Sequence, residues 1–361
     1  MAGIPKMVLT KDLFDYLIVD EACQCTEPAT LIPFQLCPKR VILVGDQNQL
    51  PATTFSDNSN RTNFCRSLFE RLLQSGYDKT MLTIQYRMHP SIRKFPSDQF
   101  YDGLIHDHES IMARQLPPQL QDLAQFFGSR MIFFDVQHAI ETVDDKSKCN
   151  YGEAEFTQRL VELIAHSAAE RGSLKPIKGQ IGVISPYKSQ VRQLKNRLGP
   201  LCRSHECSLQ DTIEVNTVDA FQGREKDIII FNCVRSNDAP TLKSALGFLI
   251  DERRLNVAIT RPKFFLFVVG NAKTLSQSEV WKNMIEYCRS SETASKLVEL
   301  PSPSHYATHL DLKDLIHSSS TKSHKRTQPE ATPQVHGPPV DYSLFATDHS
   351  PVQKRQRVAS T

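Results

Sequence analysis

No stretch of the 361 residues approaches the roughly 18 consecutive apolar residues of a membrane-spanning helix, and the N-terminus lacks the charged-then-apolar pattern of a secretory signal. An excess of one charge sign is also missing: 43 basic against 40 acidic residues leave a formal charge of +3. Bulk composition therefore makes no case for nucleic acid, and only a local patch can make it. A disulfide framework is absent as well. The nine cysteines are odd in number and scattered through apparent strands and helices, which suits reduced thiols in the cytosol or nucleus. Cys202, His205 and Cys207 fall close together but have no fourth ligand, which favours an ordinary loop over a zinc site. What remains is a globular composition, 40% apolar and 23% charged, long enough for one to two domains with real cores.

Apolar runs alternate with helical patterns over most of the length. Strands are expected over 15–19, 40–44, 80–84, 131–135, 180–184, 214–217, 227–232 and 264–269, and helices over 27–34, 64–74, 152–169, 188–198 and 252–260. Strand–helix–strand alternation, with strands apolar on both faces, predicts an α/β fold of parallel sheets covered by helices. Phe156, Leu160, Leu163 and Ile164 form an apolar stripe that belongs in a core. After about residue 290, Pro, Ser, Thr and His dominate and periodicity fades, which predicts a disordered tail. Its basic clusters at 322–326 and 354–357 are either solvated charge or, for QKRQRV, a nuclear-import signal.

Several strand exits carry chemistry-bearing residues. In FDYLIVDEACQC an apolar run ends on Asp20 and Glu21, either a solvated pair or carboxylates suited to a magnesium ion and an attacking water. VILVGDQNQLP ends similarly, with Gln49 in the following loop. QYRMHP places Tyr86 and Arg87 after a strand, and an arginine there supplies a permanent planar charge for phosphate oxygens. NTVDAFQGREKDIIIF puts Gly223 and Glu225 in a turn, and DERRLNVAITRPKF offers Arg254 and Arg261 on a short helix.

As an ordered set, VDEACQ, GDQNQLP, QYRMHP, TVDAFQGREKD and RRLNVAITR resemble the superfamily 1 helicases, in particular the branch containing the up-frameshift helicase and senataxin. The resemblance covers about residues 13–275 and implies two RecA-like domains, with ATP and Mg²⁺ in the cleft between them and single-stranded RNA or DNA across their tops. By motif, Asp20 would coordinate Mg²⁺, Glu21 would position the water and Gln49 would sense the γ-phosphate. Arg87 and Arg261 would act as paired arginine fingers, Tyr86 would lie against the adenine, and Glu225 beside Gly223 would reach the ribose and phosphates. Thr217 and the SPYKSQ segment look like strand-contacting loops. There Pro186 would hold the backbone, and Tyr187 either stacks a base or is an ordinary half-buried aromatic. Pro262 departs from the small residue many relatives carry after the finger arginine, and is expected to mark the helix end.

A second departure is larger. The family's phosphate loop, G-x-x-x-x-G-K-[ST], is absent, and no Gly-Lys pair occurs anywhere in the chain. Residues 1–84 are therefore expected to form the later half of a first RecA-like domain, with apolar strand edges exposed, 85–290 a complete second one, and 291–361 the disordered basic tail. Two readings follow: the later part of an active 5′–3′ helicase, nuclear or else cytoplasmic, or a catalytically inactive nucleic-acid-binding or regulatory relic.

Overall fold

The computed structural model describes residues 14–318 apart from 55, 57, 168–173 and 291. Its first strands, β1 (Tyr16–Val19) and β2 (Arg40–Leu43), pair in parallel with Tyr16 opposite Arg40 and Val19 opposite Leu43. Two strands have too little area to bury both faces. Tyr16, Ile18, Val41, Ile42 and Val44 are accordingly exposed, Ile18 by 64%. Of the helix expected over 27–34, Glu27–Leu31 is α-helical and Ile32–Leu36 is a 3₁₀ turn carrying Pro33. The helix expected over 64–74 begins later, at Leu68–Gln74, because the Ser67 hydroxyl caps it by accepting from the Glu70 N–H.

The strand expected over 80–84 shrinks to β3 (Ile84–Gln85), paired with β4 (His106–Asp107). Thr83 still accepts from the His106 N–H at 2.7 Å, while Thr80, Met81 and Leu82 line a cavity instead of joining the ladder.

The rest is built on β5 (Met131–Val136), β8 (Ile181–Ser185), β9 (Ile213–Thr217), β10 (Lys226–Asn232), β11 (Pro262–Gly270) and β12 (Lys296–Leu300), with a small antiparallel hairpin of β6 (Thr142–Asp144) and β7 (Ser147–Cys149) beside them. The large sheet is six-stranded, in the order β12-β5-β11-β10-β8-β9, with every pair parallel. Period-two alternation divides its side chains. Ile132, Phe134, Ile228, Ile230, Phe265 and Phe267 enter one core, under the helices Tyr151–Ser167 and Lys188–Ser204. Phe133, Ile229, Phe231, Leu266 and Val268 enter the other, under Pro90–Phe100, Glu252–Ile259 and Glu279–Arg289. The helix expected over 188–198 runs on through Pro200, because Val191, Leu194, Leu198 and Cys202 continue one buried stripe.

The expected domain end at 290 falls short. β12 pairs with β5, burying Val298 and Leu300, and the helix His309–Ser318 adds Leu312 and Ile316 to the same core. A five-residue strand and a three-turn helix are short enough to be masked by the Pro and Ser around them. The clusters at 322–326 and 354–357 lie outside the described residues. Among the described residues no helix is long and apolar enough to cross a membrane.

A Cβ on Gly182, in β8, would stand 2.7 Å from Ile229 Cδ1 and 2.9 Å from a Phe221 ring carbon. Both neighbours are fully buried, so they have nowhere to move. Gly182→Ala is expected to destabilise the domain by about 1–3 kcal/mol through overpacking, read as a lower urea midpoint at unchanged slope.

Candidate active site

β1 and β2 end side by side, so their exits carry Asp20–Glu21 and Gly45–Asp46 to one edge. The Ala22 N–H donates to the Val44 carbonyl at 2.8 Å and holds the two exits together. Glu21 adopts the left-handed conformation (φ 51°), uncommon for a residue with a side chain, and its N–H donates to Asp20 Oδ1 at 2.9 Å. The opposing turn approaches so closely that a Cβ on Gly45 would lie 3.0 Å from Cys23 Sγ and 3.1 Å from the Cys23 nitrogen. Glycine is what permits the approach. Burial pushes the Cys23 thiol up to about 12, with Asp46 adding to the effect, so this cysteine is a packing group and not a nucleophile.

Asp46 joins this edge to the larger domain. Its Oδ2 accepts from the Tyr101 hydroxyl at 2.7 Å and from Gln49 Nε2 at 2.9 Å. Asn256 Nδ2 donates to both Tyr101 Oη (2.7 Å) and the Asn48 carbonyl (2.8 Å), and Asn48 Nδ2 donates to the Phe100 carbonyl. Gln49 stands out in its motif, whereas Asp46, Tyr101 and Asn256 were not among the expected site residues. For Asp46 the signal was present, an acid directly after a strand and a glycine. Tyr101 and Asn256 carried none, since nothing in sequence pairs them.

The arginines reach the same place from the other side. Arg261 follows the helix Glu252–Ile259, not within it as expected, and Pro262 opens β11. The Arg261 side chain is nearly fully buried, and its donors meet neutral oxygens: the Val257 carbonyl (2.8 Å), the Thr260 hydroxyl (2.9 Å), Gln49 Oε1 (3.4 Å) and the Arg224 carbonyl (3.5 Å). Among the described residues no carboxylate lies within ion-pair distance of it; Glu21 and Asp46 act on it only from further off. Burial, and then the Arg87 charge, lower its pKa to about 10. A buried cation without an anion is a costly arrangement that an anionic ligand relieves.

Arg87 is tied to Glu225 at 2.8 Å, and Lys263 holds the other Glu225 oxygen at 2.9 Å. The loop carrying Arg87 is braced by Gln85, whose Oε1 accepts the Arg87 and Met88 N–H groups, and by Arg114, which donates to the Tyr86 and Arg87 carbonyls at 2.7 and 2.8 Å. Tyr86 is 59% exposed, its ring 4.4 Å from that of His108, which leaves a free aromatic face beside Arg87. Gly223 turns at φ 73°, where a side chain would be strained. A cavity of about 760 Å³ connects these parts, lined by Gly45, Asp46, Gln49, Arg87, Tyr101 and Arg261 among others.

Of the expected site residues, Gln49, Arg87 and Arg261 line this cavity, Glu225 is tied to it through Arg87, and Asp20 and Glu21 stand at the neighbouring exit of β1. Pro186, Tyr187 and Thr217 lie apart, at the exits of β8 and β9, where Ser185 pairs with Thr217. Tyr187 is only 5% exposed, with its hydroxyl near the Leu246 carbonyl and Arg235 Nη1 and its ring against Phe248. Of the two readings open for Tyr187, the structure supports the packed aromatic: a ring enclosed this way offers no face to a base. No group of three or more His, Cys, Asp or Glu suited to a metal occurs among the described residues. Burial pushes the Cys202 thiol up to about 11, against the thiolate that zinc requires.

A family model described as an AAA domain (AAA_12) matches residues 64–273, and a second AAA domain model (AAA_11) matches 2–57. The chain is 41% identical over 295 residues to the "Probable helicase MAGATAMA 3" of Arabidopsis thaliana and 38% identical over 275 residues to the "Helicase SEN1" of Saccharomyces cerevisiae. It belongs to the superfamily 1 helicases of the up-frameshift/senataxin-like branch. These alignments take in 80% and 76% of this helicase chain but only 34% and 12% of the two relatives. It is also 39% identical over 292 residues to the "Regulator of nonsense transcripts 1" of Dictyostelium discoideum, spanning 79% of this chain and 20% of that protein. Among solved structures, the PRRSV helicase overlaps 72% of this chain and 36% of its own at 15% identity, with a TM-score of 0.34.

Lys263, and then Arg87, depress Glu225 from 4.5 to about 2. A carboxylate with a lowered folded-state pKa contributes stability above its unfolded value, and this is lost as pH falls from 4.5 toward 2. With the side chain 42% exposed, the contribution is small. A carboxyl ¹³C titration should place the Glu225 midpoint near 2 and move it upward in Lys263→Met. An unshifted wild-type midpoint would dismiss the bridge.

Proposed function

We propose that this chain forms the acid, glutamine and arginine side of an ATP-driven helicase that moves along single-stranded RNA or DNA. The observation that carries the reading is Arg261, a buried guanidinium without an ion-pair partner among the described residues, whose Nη2 meets Gln49 at 3.4 Å beside Arg87, across from the exits of β1 and β2. Donors of this kind fit a triphosphate. Asp20 fits Mg²⁺, which typically takes one or two carboxylates together with water and phosphate oxygens. In this reading Asp20 holds the metal, Glu21 orients the attacking water and Gln49 meets the terminal phosphate. Arg87 and Arg261 offset charge developing on the transferred group, and Glu225 releases Arg87 as it turns to the nucleotide. The bound metal ion draws charge off the phosphate oxygens. Tyr86 offers its exposed face to the base. Closing and opening of the cleft would be coupled to the strand at the exits of β8 and β9, in the 5′–3′ sense of the family and in the nucleus.

A strand-binding module without turnover is the second reading, favoured by the complete six-stranded sheet in a chain that contains no Gly-Lys pair. The two readings share the first expectation. The 361-residue chain should show negligible ATPase, because the carboxylates face a polyanion without the N–H cradle and lysine of a phosphate loop, and Arg87 and Arg261 approach only from the opposite side. Strand-stimulated turnover of about one per second, abolished in Glu21→Gln, would overturn this. Fusion to a segment that supplies a G-x-x-x-x-G-K-[ST] phosphate loop should restore turnover if the helicase reading holds. Arg261→Ala in that fusion should then lower kcat by roughly 10³ or more. A fusion that folds, binds ATP and turns over equally with and without Arg261 would leave only the binding module.

A further inference from the structure

We propose that Phe248 is a base-stacking platform on the strand-binding edge; this rests on the reading above that the exits of β8 and β9 take single-stranded nucleic acid. Phe248 lies in the segment between β10 and the helix Glu252–Ile259, and its ring meets Tyr187 just past the end of β8, the end of a parallel strand at which ligands of open sheets bind. Behind it stands Tyr187, with ring centroids 5.5 Å apart. The Arg254 guanidinium carbon is 5.4 Å from the Phe248 ring centroid. The same guanidinium reaches Asp251 at 2.9 Å and, at 3.4 Å, Asp219, which belongs to the short helix directly after Thr217. The platform is thereby tied to both strand exits.

The mounting is rigid. Gly247 has φ 55° and ψ −120°, and a Cβ there would lie 2.5 Å from Arg235 Nη1 and 2.8 Å from the Tyr187 hydroxyl. Arg235 is itself fixed by Glu141 at 2.8 Å, with both side chains buried. Only glycine fits between these groups and the chain, and it delivers the next residue outward. Phe248 nevertheless leaves 54% of its surface in solvent.

An aromatic ring that packs on Tyr187 and Arg254 and still leaves about half of its surface in solvent is suited to a flat apolar partner. The charges identify that partner. Arg254 pairs with both Asp219 and Asp251 and offsets one of their two charges, while Lys188, directly after Tyr187, and Lys243, shortly before Gly247, are exposed and leave this set of groups net positive. Alternating aromatic face and positive charge matches the bases and backbone of a single strand. Phenylalanine has no hydrogen-bonding group to read an edge, so the platform accepts any base.

The test uses the whole 361-residue chain at low salt, with fluorescence anisotropy on a short oligouridylate and an abasic strand of equal length. Wild type should prefer the base-bearing strand. Phe248→Ala should cut that preference roughly tenfold, the scale of one lost stacking contact, with the melting temperature retained because the ring is exposed. Phe248→Trp should keep the preference, and its indole emission should be quenched on binding, while Trp281, 1% exposed, stays silent. An undiminished preference in Phe248→Ala overturns the platform while leaving strand binding in place, as does equal loss on both strands. Absence of wild-type binding to either strand overturns the strand-binding reading and the platform together.

Discussion

The Asp46–Tyr101 hydrogen bond is the constraint on which the candidate site depends. The large sheet is covered on both faces and would keep its shape without help; the β1–β2 pair would not, since much of its apolar surface lies in solvent. Asp46 accepting from Tyr101, and Asn256 donating to Tyr101 and to Asn48, pin the small pair to the large domain. Burial, then Asp46, push the Tyr101 hydroxyl's pKa up, so it remains a donor across the working pH range. The placement of Asp20 and Glu21 relative to Arg261 follows from that pin, and so does the 3.4 Å approach of Gln49 to Arg261.

The arginines illustrate how one cleft can store two kinds of charge. Arg87 is neutralised by Glu225, which Lys263 also holds, so it rests in a paired state at the mouth of the cleft. Arg261 is buried among neutral oxygens and feels Arg87 as a like charge. A ligand carrying several negative charges would relieve the second and compete for the first. That difference gives each arginine a distinct response to an anion, even though both are guanidinia at the edge of one sheet.

Much of the fold was legible because its signals are local. The apolar runs 131–135, 228–232 and 264–269 are buried parallel strands whose type needs no knowledge of their neighbours, and each appears within a few residues of its expected bounds. The strand exits bearing Asp20, Asp46, Arg87 and Glu225 were legible for the same reason, as abrupt changes from apolar to charged chemistry. Where the expectation failed, the deciding contact was remote. The 80–82 stretch has strand-like residues but lines a cavity instead of entering a ladder, whereas 296–300, hidden in a polar context, pairs with β5.

The sequence by itself determined the alternation of strands and helices, the family, the residues that could meet a phosphate and the absence of a Gly-Lys pair. Only the tertiary structure decided which groups face one another: that Arg261 meets neutral oxygens and, among the described residues, no carboxylate, that Glu225 bridges Arg87 and Lys263, and that Tyr187 is enclosed while Phe248 is presented. The physical reason is that residue type and periodicity fix what a side chain prefers to bury. Whether it is buried depends on segments far away in the chain. Tyr187 and Phe248 are both aromatic residues near strand exits, and the close packing of Arg235 and Tyr187 around Gly247 is what turns one inward and the other out.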